Sequence, residues 1–291
     1  MNIAIAGISG FTGSELKKTS EKASWKVTAI PRALTSDKSR IQELTEIVTD
    51  ADVIINLSGA PIIKRHTNKY RQILWESRIV TTQSLVRAIE LSAKKPELLI
   101  SLSATGIYKA GHSHDEFNYV YDDGFLGTLC MSWENEAMRA ETHHVRTVIL
   151  RTGIILGEKG GIIKKLSSIF KLGLGAVILP PGSPFPWVHI SDFTEICMHM
   201  IRQTECRGVY NLSANENTTQ RDFAKAFAKA LKKPLLFIVP GFFLKIMFGK
   251  GADIITRNAS VKTERLREAN YEFLFTDIQS AMKDILTSKQ D

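Results

Sequence analysis

Asn2-Ile-Ala-Ile-Ala-Gly7-Ile-Ser-Gly10-Phe-Thr-Gly13-Ser-Glu-Leu16 is the stretch that decides the fold. Asn2 to Ala6 is a short apolar run with β-branched residues that ends in glycine, the pattern of a buried strand. Ser14 to Lys17 are compatible with a helix, so the chain runs strand, glycine-rich turn, helix. Gly7-x-x-Gly10-x-x-Gly13 is a spacing variant of the dinucleotide-binding fingerprint. Its glycines let the backbone turn tightly, approach a pyrophosphate and pack helix on strand, while the helix N-terminus offers free N–H groups to phosphate. The turn nominates Gly7, Ser9, Gly10, Phe11, Thr12 and Gly13 as cofactor-binding residues.

The next strand, Trp25 to Ile30, ends in Pro31-Arg32. In a dinucleotide fold the position after this strand meets the adenosine ribose, where an acid selects NAD and an arginine accommodates the extra phosphate of NADP. The nearest acid, Asp37, comes five residues after Arg32, among Lys38 and Arg40. Pro31 and Arg32 therefore point to NADP(H), with Arg32 as the 2′-phosphate ligand. Val53 to Leu57 is another buried strand, closed by the small-residue turn Ser58-Gly59-Ala60. Between Ile30 and Val53 only a helical pattern is legible, from Arg40 to Val48.

Thr67 to Ser92 carries the apolar stripe of one long helix, with Arg78 inside it. Leu98 to Leu102 is a strand whose end presents Ser103, Thr105 and Tyr108; such hydroxyls either hydrogen-bond a substrate carbonyl or cap the turn. A helix from Phe125 to Glu141, a strand from Val145 to Leu150 and a helix from Gly160 follow. A proline-rich path then leads into Trp187 and His189. Gly208 to Leu212 reads as a short strand, Thr219 to Leu231 as an amphipathic helix, and the remainder as mostly helical with a strand at Asp253 to Thr256. Strands alternating with helices predict an α/β doubly wound, mostly parallel sheet over residues 1–231, with a small, mainly helical C-terminal lobe over residues 232–291 on the substrate side.

The 291 residues are 44% hydrophobic and 23% charged, the balance of a globular protein in water. The net charge of +8 is spread over separate segments, and no nucleic-acid motif accompanies it. Cys130, Cys197 and Cys206 form no paired motif and read as reduced core thiols. His112-Ser-His114-Asp-Glu116 reads as a solvated loop, not a metal site. The Leu235 to Phe248 apolar run is interrupted by Pro240, Gly241 and Lys245, which argues against a bilayer span. With a strand starting at residue 2 and no basic leader, the expectation is a cytoplasmic monomer or homodimer.

In combination these motifs resemble the extended short-chain dehydrogenase/reductase superfamily, the NAD-dependent epimerase/dehydratase family, with its Rossmann-type fold. The signs are the glycine turn, Asn56-Leu-Ser-Gly59, Ser103-Ala-Thr-Gly-Ile-Tyr108 and Trp187-Val-His-Ile-Ser-Asp192. Ser77-Arg78 with Thr81-Thr82, Phe125-Leu126 with Cys130 and Trp133-Glu134, Arg151-Thr-Gly153 with Gly157, and Lys171-Leu-Gly-Leu-Gly175 narrow the likeness. They resemble an epimerase-like subgroup with a C-terminal helical segment, loosely linked by name to a cell-division inhibitor. The resemblance implies NADP(H) binding, with Leu57, Ser58 and Gly59 near the adenosine and Arg78, Ser103 and Arg151 among the cofactor contacts. If the chain is an enzyme, Arg151, Trp187, His189 and the loop before Pro184 are expected to line its substrate pocket, although His189 reads equally as a structural histidine that fixes the turn before Asp192.

The resemblance breaks at the proton donor. Family members carry Tyr-x-x-x-Lys, whose phenol moves a proton while hydride transfers. Gly124 and Thr128 stand at the aligned positions here. Ser103, Thr105 and Tyr108 remain as catalytic candidates. Two functions stay open: an NADP(H)-dependent oxidoreductase acting on a small carbonyl or sugar-like molecule, and a catalytically silent NADP(H)-binding sensor or partner-binding protein.

Overall fold

Alternate residues of the first strand serve opposite faces of a sheet, and the layers follow from that alternation. The computed structural model describes residues 1–214, 217–240 and 258–287, so the strand expected at 253–256 lies outside the described residues. The strands are β1 (Asn2–Ala6), β2 (Lys26–Ile30), β3 (Val53–Asn56), β4 (Leu98–Ala104), β5 (Ser113–His114), β6 (Arg146–Thr152), β7 (Ile154–Leu156), β8 (Ala176–Ile178), β9 (Trp187–His189), β10 (Gly208–Leu212), β11 (Phe237–Val239) and β12 (Ser260–Val261). The helices are α1 (Phe11–Lys22), α2 (Arg32–Ser36), α3 (Ile41–Thr49), α4 (Asn68–Trp75), α5 (Thr81–Leu91), α6 (Phe125–Met138), α7 (Gly161–Lys171), α8 (Ile190–Arg202) and α9 (Gln220–Ala230). Helices Glu264–Glu268 and Ile278–Thr287 follow.

Six strands form one sheet in the order β10-β6-β4-β3-β1-β2, and every adjacent pair is parallel. Ile3 and Ile5 of β1 face a core shared with Leu16 of α1 and Phe193, Ile196 and Met200 of α8. Ala4 and Ala6 face the opposite core, built with Leu44 of α3, Leu85 and Ile89 of α5 and Ala137 of α6. Strands buried on both faces explain why these runs are apolar throughout instead of alternating. The stretch after β2 holds no strand, as expected, but it does hold the extra short helix α2.

The Thr67–Ser92 pattern forms one helical path in three parts: α4, a π-helical turn over Glu76–Val80, and α5. A third core joins α7, α9 and the helix Ile278–Thr287 through Phe170, Phe185, Trp187, Phe223, Phe227, Met282 and Ile285. The segment after residue 231 thus packs on the rest of the chain through helices, and it also contributes β11 beside β8 and β12 beside β5. The loop expected to be solvated is partly tied down. His114 is buried and stacks on Tyr108, while the carboxylate of Glu116 accepts from the backbone N–H groups of Asn211 and Glu264. Among the described residues no helix is long and apolar enough to cross a membrane, and no three His, Cys, Asp or Glu side chains gather as a metal site.

Candidate functional site

Strand order reverses between β1 and β3, because β2 lies on one side of β1 and the chain returns to the other. Open parallel sheets hold ligands beyond the carboxyl ends of their strands at such a point. A cleft of about 770 Å³ opens there. It is lined by Gly10, Phe11 and Thr12 after β1, Leu57 to Gly59 after β3, Arg78, and Ser103, Thr105 and Tyr108 after β4.

The glycine turn is closed to side chains. Gly7 sits at φ +84°, and a Cβ there would lie 2.9 Å from the carbonyl carbon and oxygen of Leu57. A Cβ on Gly13 would run into the carbonyl oxygen of Gly7. The two backbones at the switch point therefore meet only because both positions lack side chains. Gly10 is the N-cap of α1 and supplies no side-chain cap, and the first turn of α1 carries no acid. The first N–H groups of α1 thus have no intrahelical partner, and they face a cleft.

Arg78 projects from the π-helical turn. Its guanidinium donates to the carbonyl oxygens of Ala60 (3.1 Å) and Leu74 (3.4 Å) and lies 5.3 Å from the Trp133 ring. No carboxylate pairs with it among the described residues, and burial lowers its pKa from the ordinary arginine value. A desolvated cation without a counter-ion at a cleft wall is suited to receive an anion.

Behind this wall lies a buried polar network. Arg151 Nε and Nη2 donate to Glu134 Oε1 (2.8 Å) and Oε2 (2.7 Å), a bidentate pair. Arg151 also donates to the phenol oxygens of Tyr108 (2.9 Å) and Tyr121 (3.2 Å). Burial opposes the charge on Arg151, but the bonds to Glu134 outweigh it and raise its pKa. Ser103 Oγ donates to Glu134 Oε1 at 2.5 Å, and the Tyr108 hydroxyl donates to Asn211 Oδ1 at 2.7 Å. Burial pushes the Tyr108 phenol up to about 12.

Of the residues nominated from sequence, Gly10, Phe11, Thr12, Leu57, Ser58, Gly59, Arg78, Ser103, Thr105 and Tyr108 are brought together around the cleft. Gly7 and Gly13 shape its floor, while Ser9 lies exposed in the turn. Pro31 caps α2 and Arg32 opens it, both exposed at the carboxyl end of β2. Arg151, Trp187 and His189 do not line the cleft. Trp187 is core, its indole N–H donating to Thr218 Oγ1 at 2.8 Å. His189 is the N-cap of α8, accepting from the N–H of Ser191, and burial lowers its pKa to about 4 although Asp284 opposes the shift. Gly124 caps α6 at the cleft, and Thr128 is exposed.

A family model described as the NAD dependent epimerase/dehydratase family matches residues 3–213. The chain belongs to that family. A second model, a domain of unknown function called DUF1731, matches residues 239–285. Within the family, the chain is 28% identical over 292 residues to the epimerase family protein SSP1921 of Staphylococcus saprophyticus, covering 97% of this chain and 98% of that one. It is also 28% identical over 294 residues to the epimerase family protein SDR39U1 of Bos taurus, covering 98% of this chain and all of the other. The crystal structure of human SDR39U1 with NADPH superimposes with a TM-score of 0.90 at 26% identity, over 99% of both chains.

Sequence reading missed Glu134 as the partner of Arg151, and it missed Arg71, Trp133 and Asn258 in the cleft wall. For Trp133 a signal existed: Phe125, Leu129 and Trp133 recur at four-residue spacing and form one face of α6. Arg71 and Asn258 carried none.

Proposed function

We propose that this family member binds NADP(H) in the cleft and acts there as an oxidoreductase on a small carbonyl or sugar-like molecule. The observation that carries the reading is Arg78, a half-buried cation with no carboxylate partner among the described residues, in the same cleft as the uncapped N-terminus of α1. The residues present suit the cofactor: Gly7 and Gly13 have no room for a side chain, and the first N–H groups of α1 with Arg78 would hold its phosphates. Leu57 to Gly59 would flank the adenosine, and Arg32 would hold the 2′-phosphate. When bound, NADPH supplies hydride.

The chain's own residues supply orientation and the proton. The Thr105 hydroxyl lines the cleft and makes no hydrogen bond to described residues, so it is free to donate to a substrate carbonyl. Ser103 gives its proton to Glu134, which leaves its lone pairs to accept from a substrate hydroxyl. The Tyr108 phenol is committed to Asn211 and Arg151, so it serves the wall instead of the reacting centre. That commitment also supports the second reading, a catalytically silent NADP(H)-binding protein, since no lysine lines the cleft beside a phenol among the described residues.

Calorimetric titration with NADPH and NADH tests the cofactor. Wild type should prefer NADPH, and Arg32→Ala should remove about 1.5–3 kcal/mol of that preference, the worth of charge-assisted hydrogen bonds. Equal binding of both nucleotides by wild type would end the NADP(H) reading. NADPH oxidation in a carbonyl panel separates enzyme from sensor.

A further inference from the structure

We propose that the cleft wall built by α4 and α6 is a receptor for an oxyanion, carboxylate or phosphate, carried by the substrate. The inference rests on the NADP(H) reading, which assigns Arg78 to the cofactor and leaves this wall to the substrate. Three buried nitrogens have no hydrogen-bond partner among the described residues and belong to cleft-lining residues: Arg71 Nε, Trp133 Nε1 and Asn258 Nδ2. Each is a donor. Native interiors leave few such groups unpaired, because each costs about 1–3 kcal/mol. Three in one cleft call for a ligand rich in acceptors.

Trp133 is the strongest of them. It is 4% exposed, its ring packs with Leu74, Ile79 and Leu129, and only its indole N–H is left without an acceptor. Arg71 stands nearby in the same wall, with its guanidinium carbon 5.1 Å from the Phe125 ring and no ion pair among the described residues. Asp122 and Asp123 also line the cleft, but Asp122 Oδ1 accepts from the Gly124 N–H at 2.8 Å and neither carboxylate pairs with Arg71. A cation and an indole N–H set among apolar and aromatic surface fit a substrate with an apolar body and one anionic head.

The test is binding to the NADPH-loaded full-length chain, read by calorimetry with three probes: phenylpyruvate, its methyl ester, and phenyl phosphate. At least one anion should bind about tenfold or more tighter than the ester, and which anion does so separates carboxylate from phosphate. Trp133→Phe keeps an aromatic ring, though a smaller one, and removes the N–H, and it should weaken the anion by about fivefold or more. Arg71→Gln should weaken it by about tenfold, with Arg71→Lys recovering part of the loss. NADPH affinity should stay within about twofold in both Arg71 variants. The proposal is overturned if the ester binds as well as the anions, if no anion binds the loaded protein, or if both variants leave anion affinity unchanged. If NADPH itself fails to bind wild type, the cofactor reading falls, and the same titrations without nucleotide still decide the anion site.

Discussion

Replacing Glu134 with glutamine removes one charge from the buried network and leaves its shape almost intact. The side chains of Arg151 and Glu134 are only 3% and 8% exposed, so the pair is shielded from solvent screening. In Glu134→Gln the guanidinium keeps two phenol oxygens and a neutral amide in place of a bidentate carboxylate, and Ser103 loses a charged acceptor. Breaking a buried pair by removing one partner costs about 3–5 kcal/mol. At about 2–4 °C per kcal/mol for a chain of this order, the midpoint of thermal unfolding should fall by about 6–20 °C. The double variant Glu134→Leu with Arg151→Met removes both charges and should recover most of the loss, because apolar replacements of similar volume often match a buried pair. Thermal and urea unfolding of wild type, Glu134→Leu, Arg151→Met and the double form a complete cycle, with Glu134→Gln measured beside it. A single variant that loses less than about 1 kcal/mol, or a double that loses the sum of the singles, would refute the claim that the charges hold each other in place.

Two further outcomes follow from the same geometry. His189 has a folded-state pKa near 4 against an ordinary 6.5, so between those values the unfolded chain binds a proton that the folded one does not. Stability should therefore fall as pH drops from about 6.5 toward 4, by at most about 3 kcal/mol from this group; His189→Gln should flatten that part of the curve, and an unchanged slope would remove His189 as its source. Gly13→Ala should lower stability by about 1–3 kcal/mol despite the better helix propensity of alanine, because its methyl group meets the Gly7 carbonyl. It should also weaken NADPH, and a stabilised variant that still binds NADPH would mean the turn has room that the structure denies it.

Much of the fold can be read from local pattern. The apolar run from Asn2 to Ala6, the glycines after it, and strands alternating with helices state a parallel sheet, because each strand buried on both faces needs a continuous apolar run and each crossover needs a helix. The glycine turn, the Leu57–Gly59 turn and the hydroxyls after β4 were legible for the same reason: they sit at strand ends, and parallel strands carry all their ends to one edge. The long helix was legible as a stripe, but not its π-helical turn, since that turn does not interrupt the stripe.

Which polar groups meet was decided by tertiary packing alone. Arg151 and Glu134 lie 17 residues apart on a strand and a helix, and nothing in either local pattern says that they face each other. Sequence nominated Trp187 for the pocket and left His189 between a pocket and a structural role; packing of α9 and the helix Ile278–Thr287 places Trp187 in a core, and His189 is the buried N-cap of α8. Arg71, Trp133 and Asn258 come from three distant segments and share a cleft only in the folded chain. Sequence by itself determined most of the strand and helix order and the strand-end edge at which the cleft opens, because burial and turn chemistry act over a few residues. The tertiary structure decided which donors find acceptors, because a hydrogen bond depends on ångström-scale placement of elements that the sequence orders but does not position.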